Sequence, residues 1–238
     1  MSPASLFGVL GLLAAETAPS EDLEAMLRRL AEHSARVQAL SKSGVTMSTS
    51  AEQLDGSGKV ESRTESVERR FEKDGVETTE LRRFVRDGQD ALAQERARRE
   101  KRNTKPKGDS QERSFRVSSP FSSDAVALHR FTLLGPDPED PALRRVKFEP
   151  KGAASPDLLV GEAAVDPVAG TVRWIRCRPS KNPRHVTRME MEMVYGVEAP
   201  GGPALSRVKV AGEGGLLFIK KGYRSESTFS DYGGGASR

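Results

Sequence analysis

The chain has 238 residues, of which 36% are hydrophobic, 5% aromatic and 30% charged. That balance describes a globular chain long enough for one generous domain or two small ones, and no stretch approaches the ~18 consecutive apolar residues of a membrane-spanning helix. Thirty-eight Lys and Arg against 34 Asp and Glu give a formal +4 with both signs intermixed, which marks no nucleic-acid groove, while the single cysteine excludes a disulfide framework and a cysteine-based zinc site.

Residues 4–15 (Ala-Ser-Leu-Phe-Gly-Val-Leu-Gly-Leu-Leu-Ala-Ala) form an apolar run too short to span a bilayer and about as long as the core of a secretory signal. Only Met1, Ser2 and Pro3 precede it, so the positive flank is missing; a short helix or frayed terminus is the other reading. The expected division is a signal-like segment at 1–18, one domain at 19–233 and a disordered tail at 234–238. A helix then begins at the capping Ser20, with Glu21 and Asp22 in its first turn. Leu23, Met26, Leu27, Leu30, Ser34 and Val37 recur at helical spacing, predicting an apolar stripe that ends near Leu40. His33 falls beside that stripe.

From Val45 the pattern is strands and turns. Asp74-Gly75 between extended stretches at 59–72 and 76–86 predicts a hairpin. One face there carries Glu61, Arg63, Glu65, Arg69 and Phe71 and the other Val60, Ser62, Thr64 and Ser66, so neither is densely apolar and an open, one-sided sheet is expected. Residues 90–102 read as a helix poor in apolar residues. Its cations Arg96, Arg98, Arg99, Lys101 and Arg102 form either a solvated surface or one that meets lipid head groups, a partner or nucleic acid. Residues 135–142 read as a stiff acidic loop with three prolines.

The C-terminal half is more sheet-like. Leu158–Val165 and Thr171–Arg178 flank a turn. In the second of these, strict alternation places Arg173 with Ile175 and Cys177, and Val172 with Trp174, Arg176 and Arg178. Met189, Met191, Met193 and Tyr195 share one face of the next strand, opposite Glu190 and Glu192. Methionines at such spacing either fill a core or line an adaptable apolar surface. Further runs at 206–210, 215–220 and 223–229 complete a meander, with Gly212–Gly215 taken as a turn.

Little here points to catalysis. His33, His129 and His185 lie on separate elements, no phosphate-binding loop accompanies the glycines, and Cys177 reads as strand filler. No catalytic residue, metal or cofactor is expected.

The run from Gly161 to Val172, then Pro179-Ser180-Lys181-Asn182-Pro183-Arg184-His185-Val186, Met189–Tyr195 and the close Phe218–Tyr232 resembles the outer-membrane lipoprotein-sorting family. That family comprises the periplasmic lipoprotein carrier and its relatives in Gram-negative envelopes. The resemblance covers about residues 21–232 and implies an α+β fold, an incomplete antiparallel β-barrel with helices covering the concave side. It implies a periplasmic carrier or chaperone that buries lipoprotein acyl chains or another hydrophobic ligand without covalent chemistry. The cavity residues would be Leu27, Leu30, Trp174, Met189, Met191, Met193, Tyr195 and Phe218. On that reading Met191→Asp lowers bound lipid without unfolding the chain. Relatives with this half-barrel also act as envelope sensors that bind a regulatory membrane protein, so an interaction module without lipid transfer is the alternative. The expected partners are lipid or lipoprotein cargo, a membrane or a membrane protein, with nucleic acid excluded by export.

Overall fold

The computed structural model describes residues 21–103, 119–216 and 219–233. Helix α1 (Glu21–Ser43) precedes strands β1 (Val45–Leu54), β2 (Val60–Lys73), β3 (Val76–Arg86) and the two-residue β4 (Gln89–Asp90). Helix α2 (Leu92–Asn103) and the single turn α3 (Ser123–Val126) come next. Strands β5 (His129–Pro136), β6 (Arg144–Pro150), β7 (Leu159–Asp166), β8 (Thr171–Pro179), β9 (Val186–Val197), β10 (Ala204–Leu216) and β11 (Ile219–Ser230) follow.

These strands form one antiparallel sheet in the order β4-β3-β2-β1-β11-β10-β9-β8-β7-β6-β5. Two meanders meet where β1 pairs with β11, from Thr46↔Ser230 to Leu54↔Gly222. The sheet stays open, with β4 and β5 at its edges and helices on one face. This is the expected α+β incomplete barrel.

The Asp74-Gly75 hairpin forms as expected, with φ of 52° and 76°, the paired left-handed conformation that matches the twist of two adjoining strands. Helix α1 runs three residues past Leu40 and stops at Gly44, where φ is 139°. The positive φ favours glycine there, and a Cβ on Gly44 would lie 2.3 Å from Arg69 Nη2, so a larger residue would also push the guanidinium aside. The Arg69 guanidinium donates to Asp231 O at 2.7 Å, tying the end of the chain to the start of the sheet.

Three expectations are corrected. Gly212–Gly215 is no turn: β10 runs through it, paired with β9 on one side and β11 on the other. The glycines leave room for the β8–β9 connection, since a Cβ on Gly214 would meet His185 O at 2.3 Å. In β8 the register shifts between Ala164 and Val165, placing Arg173 in a bulge. The extra residue turns Val172 to the buried side with Ile175 and Cys177, while Arg173 is exposed. His33 lies in the buried stripe with Leu23, Met26 and Leu30, at 1% exposure, and bonds to Pro203 O at 2.9 Å.

Leu23, Met26, Leu30 and Phe121 pack on the inner face of β6 to β9 to make the main core. A second small cluster joins Leu81 and Phe84 to Ala91, with Leu92 against them, under α2.

Candidate functional site

Strand pairing aligns inner-face residues in rows across the sheet. One row runs Phe131, Phe148, Gly161, Cys177, Met191, Val210, Ser225, Ala51, Thr64. The next runs Leu133, Val146, Ala163, Ile175, Met193, Val208, Ser227, Thr49, Ser66, Phe84. Both change character at the β10–β11 boundary, from apolar to small and largely hydroxylated. Thr49 and Ser227 hydroxyls bond to each other at 2.8 Å on the polar side.

The apolar part is already filled. Met191 and Met193 are 3% and 4% exposed, packed in one cluster with Tyr195, Leu30, Phe121 and Phe148, and with half-buried Leu27. Burial pushes the Cys177 thiol up to about 12, which keeps it protonated and unreactive. It pushes the Tyr195 phenol up to about 12 as well, against a hydrogen bond with Ser119. Desolvation likewise holds His33 below its ordinary value, although its bond to Pro203 pulls the other way.

Past this plug, an open groove of about 440 Å³ crosses the other end of the inner face. The row Met189, Gly212, Tyr223, Gln53, Ser62 crosses it, and Val210, Ala51 and Thr64 line it from the adjacent row. Gly212 keeps its floor low: a Cβ there would meet nothing nearer than Arg188 O at 3.4 Å. The groove thus combines an apolar strip with hydroxyl and amide groups along one wall, and Glu52, Glu213, Lys221 and His185 also belong to its lining.

The cavity residues expected from sequence separate accordingly. Leu27, Leu30, Met191, Met193 and Tyr195 come together as core, and Met189 alone reaches the groove. Trp174 stands on the opposite, outer face, where the Arg176 guanidinium stacks 4.7 Å from its ring centre. Phe218 lies outside the described residues. Sequence reading overlooked Ala51, Gln53, Val210 and Tyr223, whose signal was the period-two alternation of β1, β10 and β11. It also overlooked Phe121, which belongs to no regular element.

On the outer face, charges alternate across strands: Lys147, Glu162, Arg176, Glu192, Lys209, Glu226. Arg176 pairs with Glu192 at 2.9 Å, and Glu52 is held below the ordinary carboxylate range by hydrogen bonds from Arg63 and Arg224. Such pairs are worth little individually, and a slip of one residue would turn their charges to the buried face.

The cations of α2 also divide. Arg99 reaches Glu68 at 2.7 Å and Glu95 at 3.2 Å, and both carboxylates are buried at 5% and 9% exposure. Arg96 donates to Leu81 O at 2.7 Å. Arg98, Lys101 and Arg102 face outward. Among the described residues no cluster of three or more His, Cys, Asp or Glu is placed to hold a metal, and no helix is long and apolar enough to cross a membrane.

No protein-family model matches the sequence, and no curated protein matches it. Among solved structures, a DUF1329 family protein from Desulfovibrio piger is similar at 13% identity, TM-score 0.39, over 89% of this chain and 95% of that one. A LolA superfamily protein from Nitrosomonas europaea is similar at 9% identity, TM-score 0.37, over 86% and 91%. The MucA/MucB complex of Pseudomonas aeruginosa gives 12% identity and TM-score 0.24 over 90% and 100%. At these scores the likenesses carry neither a family nor a function across to this chain.

Proposed function

We propose that the protein is a non-enzymatic interaction module of the periplasm, which receives an extended segment of a protein partner in the groove beside Met189. The observation that supports this most is the state of the methionine face. Met191 and Met193 are buried in one cluster with the chain's own Leu30 and Phe121, so protein already occupies the face that an acyl chain would need. The remaining opening has Gln53, Ser62 and Thr64 on its wall. An acyl chain laid there would desolvate those groups without bonding them, at a cost of about 1–3 kcal/mol each, whereas a peptide offers N–H and C=O partners. The signal-like run at residues 4–15 supports export.

Carriage of a lipid is the second reading, favoured by the apolar strip of Met189, Val210, Ala51 and Tyr223. One experiment separates the two. The protein is recovered from the periplasm of a Gram-negative host, with a photo-crosslinking residue at position 223 or, as an outer-face control, at 209. Native mass spectrometry is expected to show a lipid-free chain, with polypeptide crosslinked at 223 and not at 209. A stoichiometric lipid or lipopeptide adduct would reverse the order of the two readings.

A further inference from the structure

Helix α2 carries five cations against two carboxylates. The fold uses them in two different ways. Arg99 and Arg96 bond to the body, Arg99 neutralising Glu68 and Glu95, and Arg96, though exposed, donating to the carbonyl of Leu81. Asp90 Oδ1 accepts from the N–H of Leu92 at 2.9 Å and fixes the start of the helix. The helix is thereby held at a set rotation. The flank beside that contact presents Gln94, Ala97, Arg98, Lys101 and Arg102 along one shallow surface. Their spacing (i, i+3, i+4, i+7, i+8) is a single stripe, about 12 Å long at 1.5 Å per residue. The Arg98 side chain is 69% exposed, although it touches Glu95.

We propose that this stripe of Arg98, Lys101 and Arg102 docks the protein on a membrane surface rich in anionic lipid. The chemistry favours a lipid surface over other anions. The stripe has no aromatic side chain on which a base could stack, and it has no deep pocket for an acidic side chain. It offers three charges on long flexible stems along a straight line, which suits mobile head groups in a plane. Each such charge near an anionic bilayer strengthens partitioning about fivefold. The proposal uses no groove residue and does not depend on what the groove binds.

The test is co-sedimentation of the full chain with vesicles of phosphatidylcholine alone or with about 30% phosphatidylglycerol, at about 0.1 M salt. Wild type is expected to partition onto the anionic vesicles and to be released in about 1 M salt. The triple variant Arg98→Ala, Lys101→Ala, Arg102→Ala should lose roughly a hundredfold in partitioning. Alanine favours the helix, so α2 is expected to persist, which circular dichroism checks. A control of equal charge, Arg173→Ala, Arg178→Ala, Arg184→Ala, should keep most of the binding. The double variant Arg98→Lys, Arg102→Lys should keep it too, since charge alone is required. The proposal is overturned if wild type binds neutral vesicles equally, or if the control loses as much as the triple variant. Equal affinity for duplex DNA or polyglutamate at the same salt would also overturn it, because the stripe would then be a general anion surface.

Discussion

From β5 to β10 the rows of the inner face carry Phe148, Val146, Ile175, Met191 and Met193; from β11 to β2 the same rows carry Ser225, Ser227, Thr49, Thr64 and Ser66. Both stretches belong to one continuous ladder, so hydrogen bonding does not distinguish them. What differs is the cover. Helix α1 and Phe121 lie on the first stretch and need apolar partners, each fully buried large side chain contributing about 1.5–3 kcal/mol. On the second, the C-terminal end of α1 reaches β1 and β2, where Val45 and Met47 are buried, and the hydroxylated rows lie beyond that end. At its far edge α2 docks through the buried ions Glu68, Glu95 and Arg99 beside the small Leu81–Phe84–Ala91 cluster. The first stretch is thus a core wall, and the rows of hydroxyls on the second are a surface.

The sharpest way to break this comparison is to place one charge on each side. Met191→Asp buries an unpaired carboxylate among Cys177, Tyr195 and Met193. It is expected to cost more than ~4 kcal/mol and to yield no cooperative unfolding transition in urea. Tyr223→Asp, at a side chain 47% exposed, should change stability by about 0.5 kcal/mol or less. A folded Met191→Asp protein would mean that the methionine face is a cavity wall after all, as the sequence-based expectation had it. Ellman's reagent offers a second readout: the native Cys177 thiol should label slowly, and quickly in any variant whose plug has loosened.

The ionic docking of α2 should respond less. Removing Arg99 by alanine leaves Glu68 and Glu95 with their outer partners, Arg70 on the first and Arg86 and Arg98 on the second. A loss of about 1–2 kcal/mol is expected, concentrated in hydrogen exchange of residues 92–103 rather than spread over the sheet. Adding Glu68→Gln should recover part of it, because one buried charge fewer then has to be desolvated and shared among the remaining cations. Uniform loss of protection across β6–β9 would show that α2 supports the core wall as well.

How much of this could be read from sequence follows the same division. The Asp-Gly hairpin, the stripe of α1 and the alternation of β9 are local patterns, and all three formed where expected. The occupancy of the methionine face was not local. It depends on Phe121, which lies just before α3 and far in sequence from Met191, and on the folding of α1 back over strands more than a hundred residues away. Bulges defeated the side assignment in β8, since a single inserted residue at Arg173 exchanges the two faces. The glycines at 212–215 resembled a turn because their composition is that of a turn; only pairing on both sides and the crowding at His185 O reveal them as strand.

The core wall also predicts a pH effect. His33 is buried neutral, its value lowered by desolvation, so the unfolded chain binds a proton that the folded chain does not. Stability should therefore rise with pH, being complete above the ordinary histidine value of about 6.5 and declining as pH falls below it toward the lowered native value. The midpoint of thermal unfolding is expected to be lower at about pH 5 than at about pH 7.5, and His33→Gln should flatten that difference. Losses through Glu52 and Asp55, whose values are also lowered, set in as pH falls into the ordinary carboxylate range, from about pH 5 downward, so they touch only the bottom of this window. An unchanged slope in His33→Gln would remove His33 as its cause.

The smallest effect tests why the second stretch is hydroxylated at all. Thr49 and Ser227 share one hydrogen bond across β1 and β11, half-buried and reachable by water. Replacing both by valine deletes donor and acceptor together, so no polar group is stranded, and β-branched side chains suit a strand. Stability should move by about 0.5 kcal/mol or less in either direction. What should change is the surface. The two introduced isopropyl groups would lie in one row with Val208 and Met193 and extend the apolar wall onto uncovered sheet, so dye binding and self-association should rise at unchanged stability. If instead the double variant is strongly destabilised, the hydroxyl pair holds the two meanders together; if it is stable and binds no dye, something covers these strands, and the division between wall and surface fails at the seam itself.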